Sequence, residues 1–255
     1  TAMKLSSTGN VIWSRVFGGF QNDWGRDIWE TTNGYFIVGN TFSYGAGQHD
    51  GFLTKLDNSG NISWMKVMGT SNEDQFMNMT IANNGDPIIG AFTVVNGTRH
   101  GWIQRVNSAG NQIWSKSYFV SGYQPWAKII KANDGNILMF ASEVVNNGKL
   151  VILKINQTTG AIIWAKEYGG SGRDVAQGFF QSTDGGINAI GITDSYSTNG
   201  DEDLFILRTD ANGNMGNCNY TDVTNIFNSS NFSFSTQNVT PQQQTNIPSV
   251  NTTLT

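Results

Sequence analysis

The sequence predicts an all-β chain assembled from a repeating unit of four short antiparallel strands, and three observations carry that expectation. Trp13, Trp64, Trp114 and Trp164 lie 51, 50 and 50 positions apart, each four residues after a glycine: Gly9, Gly60, Gly110 and Gly160. A fifth glycine, Gly213, has Asn217 where the tryptophan should follow. Self-similarity at such a period marks stacked or radial arrays of small supersecondary units. Twenty residues after every tryptophan stands a turn dipeptide, as Asn33-Gly34, Asn84-Gly85, Asp134-Gly135 and Asp184-Gly185. Between these markers the apolar residues fall in short runs without helical spacing.

The first complete unit shows each element in turn. Trp24 to Thr32 is a strand, Asn33-Gly34 a turn, and Tyr35 to Phe42, Gly51 to Leu56 and Asn61 to Lys66 are three further strands. Asn-Gly and Asp-Gly favour type I′ hairpins because both central positions there take positive φ. Phe52 and Leu56 set against Leu53 put apolar side chains on both faces of a strand, as a sheet buried between two neighbours requires. Four-stranded sheets repeated radially describe a β-propeller; a flat solenoid fits less well, because its coils are much shorter than fifty residues. Residues 1–215 are read as propeller repeats, about four to five blades, and 216–255 as an Asn/Thr/Ser-rich C-terminal segment. Ala2 to Leu5 and Val11 to Val16 read as the last two strands of a blade. That blade belongs to a longer propeller, the favoured reading, or is completed into a five-bladed ring by tail strands at Asn225 to Phe227 and Asn231 to Thr236.

Other columns share the register. Asp23, Asp74 and Asp174 recur, with Gln124 breaking the series; Arg15, Lys66, Lys116 and Lys166 form one basic column and Lys4, Lys55, Arg105, Lys154 and Arg208 a second. An active site needs a unique convergence of groups, so these columns read as scaffold, the aspartates accepting backbone amides in turns or pairing with the basic residues. No catalytic residue, cofactor or metal site is assigned. His49 and His100 share a column, but zinc would need a third ligand such as Asp50 or Asp203. Asp210-Ala211-Asn212-Gly213-Asn214 alternates oxygen side chains as calcium loops do, yet it occupies the turn column of Asp57-Asn58-Ser59-Gly60-Asn61. Cys218 is the single cysteine, so there is no internal disulfide, and it has no evident base partner.

Composition narrows the setting. The 255 residues are 38% apolar and 13% charged, with a net charge of −4 and no basic run. That balance argues against nucleic-acid binding, which draws on a basic face. No apolar stretch reaches the length of a helical membrane span. No signal peptide is present, which fits a mature or trimmed form if the protein is exported.

The segments Gly18-Gly19-Phe20-Gln21-Asn22-Asp23, Asn33 to Thr41, Asp50 to Asp57 and Gly60-Asn61-Ile62-Ser63-Trp64 resemble the bacterial β-propeller repeats of secreted and surface proteins, particularly of Bacteroidetes. The resemblance covers roughly residues 1–215. It implies an extracellular or cell-surface location and, through the sorting signals common in that family, export as a type IX secretion cargo. The Gly-x-x-x-Trp turn is also similar to the tryptophan-docking motif of pyrroloquinoline-quinone-type propellers. That similarity implies that the indole packs between adjacent blades and that the strand bearing Trp64 is outermost; it does not imply the quinone.

In this topology the longer connections share one face: Phe17 to Asp23, Met68 to Asp74, Phe119 to Pro125 and Tyr168 to Asp174 between units, and Ser43 to Asp50, Val94 to His100, Val144 to Gly148 and Asp194 to Asp203 within them. Variable loops on a rigid scaffold are where recognition concentrates. Tyr44, His49, Arg99, His100, Tyr123, Arg173 and Tyr196 are the candidate ligand-binding residues, since tyrosine and arginine are enriched at contact hot spots. Trp24 and Trp126 open innermost strands and read as core. The expectation is a non-enzymatic protein-interaction or scaffold module, with a protein partner or a role in spacing domains. One alternative is a lectin-like adhesin bound to a surface glycan; another is an enzyme with a pocket on the propeller axis.

Overall fold

The computed structural model describes residues 1–119, 128–142, 148–197, 199–216 and 220–245. Among them every regular element is a strand. β1 (Ala2–Leu5) and β2 (Val11–Gly18) pair first. Then come β3 (Asp23–Thr31), β4 (Gly34–Thr41), β5 (Asp50–Leu56) and β6 (Ile62–Gly69). The next repeat gives β7 (Asp74–Ile81), β8 (Pro87–Val95), β9 (Thr98–Val106) and β10 (Gln112–Phe119), and the one after it β11 (Lys128–Lys131), β12 (Ile137–Ser142), β13 (Leu150–Ile155) and β14 (Ile162–Tyr168). The last repeat contributes β15 (Asp174–Gln181), β16 (Ile187–Thr193) and β17 (Asp203–Arg208); the tail adds β18 (Tyr220–Asp222), β19 (Asn228–Asn231), β20 (Ser235–Val239) and β21 (Gln242–Thr245).

The chain divides into two compact units, residues 1–76 with 234–255, and residues 77–233. The first holds the sheets β1-β2-β21 and β3-β4-β5-β6-β20; the second holds β7-β8-β9-β10-β19, β11-β12-β13-β14-β18 and β15-β16-β17, with the division falling inside β7. The pairings between these strands are antiparallel: successive strands of a repeat meander through short connections, whereas the tail strands pair with strands distant in sequence.

Three features differ from the sequence reading. The complete sheets have five strands, because the tail adds one to the far edge of each Trp-bearing strand, which is therefore not the outermost. Neither Asn225–Phe227 nor Asn231–Thr236 completes the first sheet: β21 is its tail strand, and it pairs with β2. The turn dipeptides are not type I′, since among the described residues only Asn96 has positive φ outside glycine. Each instead carries a left-handed glycine, and in three of the four the Asn or Asp side chain accepts the amide two residues on: Asn84 Oδ1 from Asp86, Asp134 Oδ1 from Asn136 and Asp184 Oδ1 from Gly186. Among the described residues the hairpin with both central residues left-handed is Asn96-Gly97 (φ 50° and 77°), which joins β8 to β9 through Val95 opposite Thr98. The segment 94–100 is thus a hairpin tip and not a long variable loop, and Arg99 and His100 belong to a strand.

A bulge recurs where the third strand of a repeat meets the fourth. Lys4 faces Trp13 while Leu5 faces Val11, and Lys55 and Lys154 face Trp64 and Trp164 with the same one-residue slip behind them. The slipped residue, Ile12, Ser63, Ile113 or Ile163, is left exposed. Extra residues of this kind re-aim their neighbours, and here the neighbour is the repeat's tryptophan. Cores lie between sheets within each unit. In the first, Trp13, Tyr35, Ile37, Phe52, Leu56, Met65 and Val67 cluster; in the second, Leu138, Phe140, Leu150 and Ile152 meet Ile187, Ala189 and Leu207.

Candidate functional site

The repeated polar columns are consumed by turns. Trp13 lies against the Gly60 turn, Trp114 against Gly160 and Trp164 against Gly213, so closely that a methyl at those glycines would sit 2.6, 2.9 and 2.9 Å from the indoles. Each indole thus docks on the turn of the following repeat. Two members of the neighbouring basic column fasten the same turns: Arg15 Nη2 donates to the Ser59 carbonyl at 2.9 Å and Lys166 Nζ to that of Asn212 at 2.6 Å. Tyr118 and Tyr168 reach Gly160 and Gly213 carbonyls at 2.8 and 2.7 Å, and burial raises both hydroxyls far above the ordinary phenol range, which keeps them donors. Trp64 leans on Phe36 with ring centroids 6.1 Å apart, below the Lys66 ammonium. Three members of the second basic column hold the hairpin of their own repeat, through Arg105–Asp86 at 2.9 Å, Lys154–Asp134 at 2.7 Å and Arg208–Asp184 at 2.5 Å, while Lys55 donates to Thr31 Oγ1 and Lys4 reaches Glu30 and Tyr35 of the next repeat.

The aspartate column forms loop cages. Asp174 accepts from Gly170 N at 2.9 Å, Ser195 Oγ at 2.6 Å and Thr193 Oγ1 at 2.6 Å. Asp23 repeats the pattern with Gly19 N at 2.8 Å, Ser43 Oγ at 2.9 Å and Thr41 Oγ1. Asp74 takes both the amide and the hydroxyl of Thr70, at 2.6 and 2.8 Å. These partners are amides and hydroxyls, not members of the basic columns. Beside Asp74 lies Asp50, 1% exposed, whose Oδ2 accepts from Gly47 N at 2.9 Å. Burial first, and the Asp74 charge further, hold the Asp50 carboxyl above the usual range against the pull of the Gly47 and Ala46 amides.

The loop residues named from sequence are not one cluster. In the first unit His49 sits in an aromatic nook, its ring 3.7 Å from Phe42 and 5.6 Å from Trp24, with Nδ1 3.8 Å from Glu73 Oε1 and 3.3 Å from Gln75 Nε2. Tyr44 is anchored there, its hydroxyl donating to Gly18 O at 3.0 Å. Trp24 is not a core residue: 42% exposed, it presents a ring at the nook's mouth, and Phe20 projects fully into solvent. Arg26 extends along the same strand to Gln75 Oε1 at 3.4 Å. The exposure of Trp24 had a sequence cue, its place directly after the column aspartate that ends a loop. In the second unit Arg99 lies over the Phe92 ring and His100 stacks on Phe119 at 4.2 Å, where burial lowers its pKa. Arg173 pairs with Glu202, and Tyr196 is exposed. Tyr123, Trp126 and Cys218 lie outside the described residues.

No group of three or more His, Cys, Asp or Glu able to hold a metal occurs among the described residues. In the turn 210–214 the Asp210 carboxylate is occupied by Asn212 N, Asn214 N and Asn214 Nδ2 at 2.7 to 2.9 Å, the arrangement Asp57 makes with Ser59 and Asn61.

One open groove of about 760 Å³ lies in the second unit, along Asp203–Leu207 of β17 and bounded by Tyr168, Asp174, Thr193, Tyr196 and Met215. Comparison with protein-family models and with curated proteins finds no match to the chain.

Proposed function

We propose that the chain is a non-enzymatic interaction or scaffold module built from β-propeller blades and presented at a bacterial cell surface. One observation carries the reading: most of the recurring Asp, Lys and Arg side chains are committed to turns, cages and hairpins of the scaffold, whereas Phe20 and Tyr196 face solvent on loops and Trp24 does so at the start of β3. A rigid frame with divergent aromatic tips fits recognition of a protein partner. The propeller assignment draws on the four-strand antiparallel meander of each complete repeat and on indole-to-glycine docking between successive repeats within each unit. Export and the type IX route rest on the resemblance of the repeats alone.

A glycan-binding reading has its own support in the Trp24 nook, where an exposed indole is flanked by Arg26, Glu73 and Gln75, a stacking face beside hydrogen-bonding groups. The two readings separate in one experiment: capture of cell-envelope extract by immobilised protein and by Trp24→Ala, with extract pretreated by protease or by periodate. Capture abolished by protease and kept after periodate supports a protein partner. Capture abolished by periodate and by Trp24→Ala supports the lectin. Turnover of a substrate by the purified protein would refute both.

A further inference from the structure

We propose that the outer edge of β17 is a strand-acceptor site, which binds an extended peptide with the pattern of this chain's own fourth strands. The proposal stands on sheet topology alone, so it survives failure of the loop reading above.

In the other complete repeats the third strand pairs with a fourth: β5 with β6, β9 with β10, β13 with β14. β17 is the third strand of its repeat, and among the described residues its one neighbour is β16. After Gly213 the chain takes another course, and Tyr220–Asp222 pairs with β14 instead. The backbone of β17 therefore offers an unpaired edge beside the groove. The other four sheets end on polar tail strands, Asn-Ser-Ser-Asn in β19 and Gln-Gln-Gln-Thr in β21 among them, whereas β17 reads Asp-Leu-Phe-Ile-Leu-Arg. An apolar open edge is a template for another strand, and strand addition is an established mode of peptide recognition.

The repeats specify the occupant. Leu204 and Ile206 are 68% and 73% exposed, while their counterparts Leu53, Ile103, Leu150 and Ile152 are buried. In the intact pairings the fourth-strand tryptophan stands opposite the basic residue of the third strand, and the basic residue two places on stands opposite Leu53, Ile103 or Ile152. An incoming strand in that register sets its tryptophan across from Arg208, its lysine across from Ile206 and its closing aromatic across from Leu204. The residue after the tryptophan is small or flexible and buried in each native copy, as Ser14, Met65, Ser115 and Ala165. On β17 it points into the groove, toward Tyr168 and Met215. The ligand class is thus an extended segment of the form Gly-Asn-x-Ile-Trp-x-Lys-x-Tyr.

The test uses the full chain and the synthetic decapeptide Gly-Asn-Gln-Ile-Trp-Ser-Lys-Ser-Tyr-Phe, which copies residues 110–119. Amide hydrogen exchange is followed across the chain with and without peptide. The expected result is slowing of about tenfold or more confined to 203–208 at saturation, absent with a scrambled peptide. Leu204→Asp and Ile206→Asp, both at exposed positions, keep the melting temperature and weaken the peptide about tenfold. Equal protection by the scrambled peptide, protection at other edges only, or no protection overturns the proposal. So does full protection of 203–208 before any peptide is added, since the edge is then already occupied.

Discussion

Indole docking makes a quantitative prediction at Gly160. Its φ is +69°, and a Cβ there would lie 2.9 Å from Trp114 Cε3 and 2.9 Å from Lys116 Cδ. Gly85 is the control: its φ is +90°, and a Cβ would meet nothing within 4 Å. Both lie in the second unit. Gly85→Ala costs only the left-handed conformation, about 1–2 kcal/mol. Gly160→Ala adds overpacking against the indole, about 1–3 kcal/mol more. Trp114→Ala alone costs about 3–5 kcal/mol, since a buried ring and its hydrogen bond to the Gln157 carbonyl at 3.0 Å are both lost. In the Trp114→Ala background the cost of Gly160→Ala should fall to that of Gly85→Ala, a coupling of about 1–3 kcal/mol. Urea unfolding followed by far-UV circular dichroism is the assay, because one substitution removes a fluorophore. A Gly160→Ala cost equal in both backgrounds would refute the docking argument, leaving backbone strain as the whole role of the glycine.

Two further outcomes follow from charge burial. The Asp50 carboxyl titrates above its unfolded value of 3.8, so its neutral form is the one the fold favours. That contribution is complete below the unfolded pKa and is lost as pH rises through the folded one. Asp50→Asn, which mimics the neutral acid and keeps an acceptor for Gly47 N, should therefore stabilise the protein at pH 7 and be neutral below pH 4; equal melting shifts at both pH values would contradict this. The two basic-column pairs should differ with burial. Arg105→Met strands the largely buried Asp86 and costs about 3 kcal/mol, whereas Arg208→Met breaks a largely exposed pair worth about 0.5 kcal/mol, and similar losses in denaturant titrations would count against it.

The repeat period, the first four strands of each complete unit and the scaffold character of the Asp, Lys and Arg columns were legible because burial on a rigid frame leaves residue types in register. Burial could not reveal the tail strands. Asn228–Asn231 and Ser235–Val239 are exposed on nearly every residue and are held by backbone pairing, which carries no hydrophobic period. Their anchors are sparse: Val223 and Phe227 join the core around Trp114, and the Phe232 ring lies tilted against Trp102 with centroids 5.0 Å apart. Trp24 was misread for a different reason. A tryptophan opening an inner strand has the composition of core, and that outweighed its place directly after the column aspartate; the packing of His49 and Phe42 on one side leaves its other side to solvent. The Asn96-Gly97 hairpin obeys the turn rule used elsewhere but stands outside the repeat's column, so a reading keyed to columns passed over it.

The glycine column outlasts the tryptophan column, and forward docking explains why. A glycine serves the indole of the repeat before it, so Gly213 is still required by Trp164 and Tyr168 although Asn217 replaces its own tryptophan. Past Gly213 the chain supplies the fifth strand beside β14, and among the described residues no fourth strand pairs with β17. Loss of the tryptophan thus coincides with an edge of β17 that no fourth strand covers among the described residues. The same logic applies at Gly9, where φ is +82° and a Cβ would meet nothing within 4 Å. Gly9→Ala should accordingly cost no more than Gly85→Ala, while Gly60→Ala, with Trp13 2.6 Å from the added carbon, should match Gly160→Ala. If Gly9 and Gly60 proved equally sensitive, the forward direction of docking would be wrong, and the account of why the glycine column outlasts the tryptophans would fall with it.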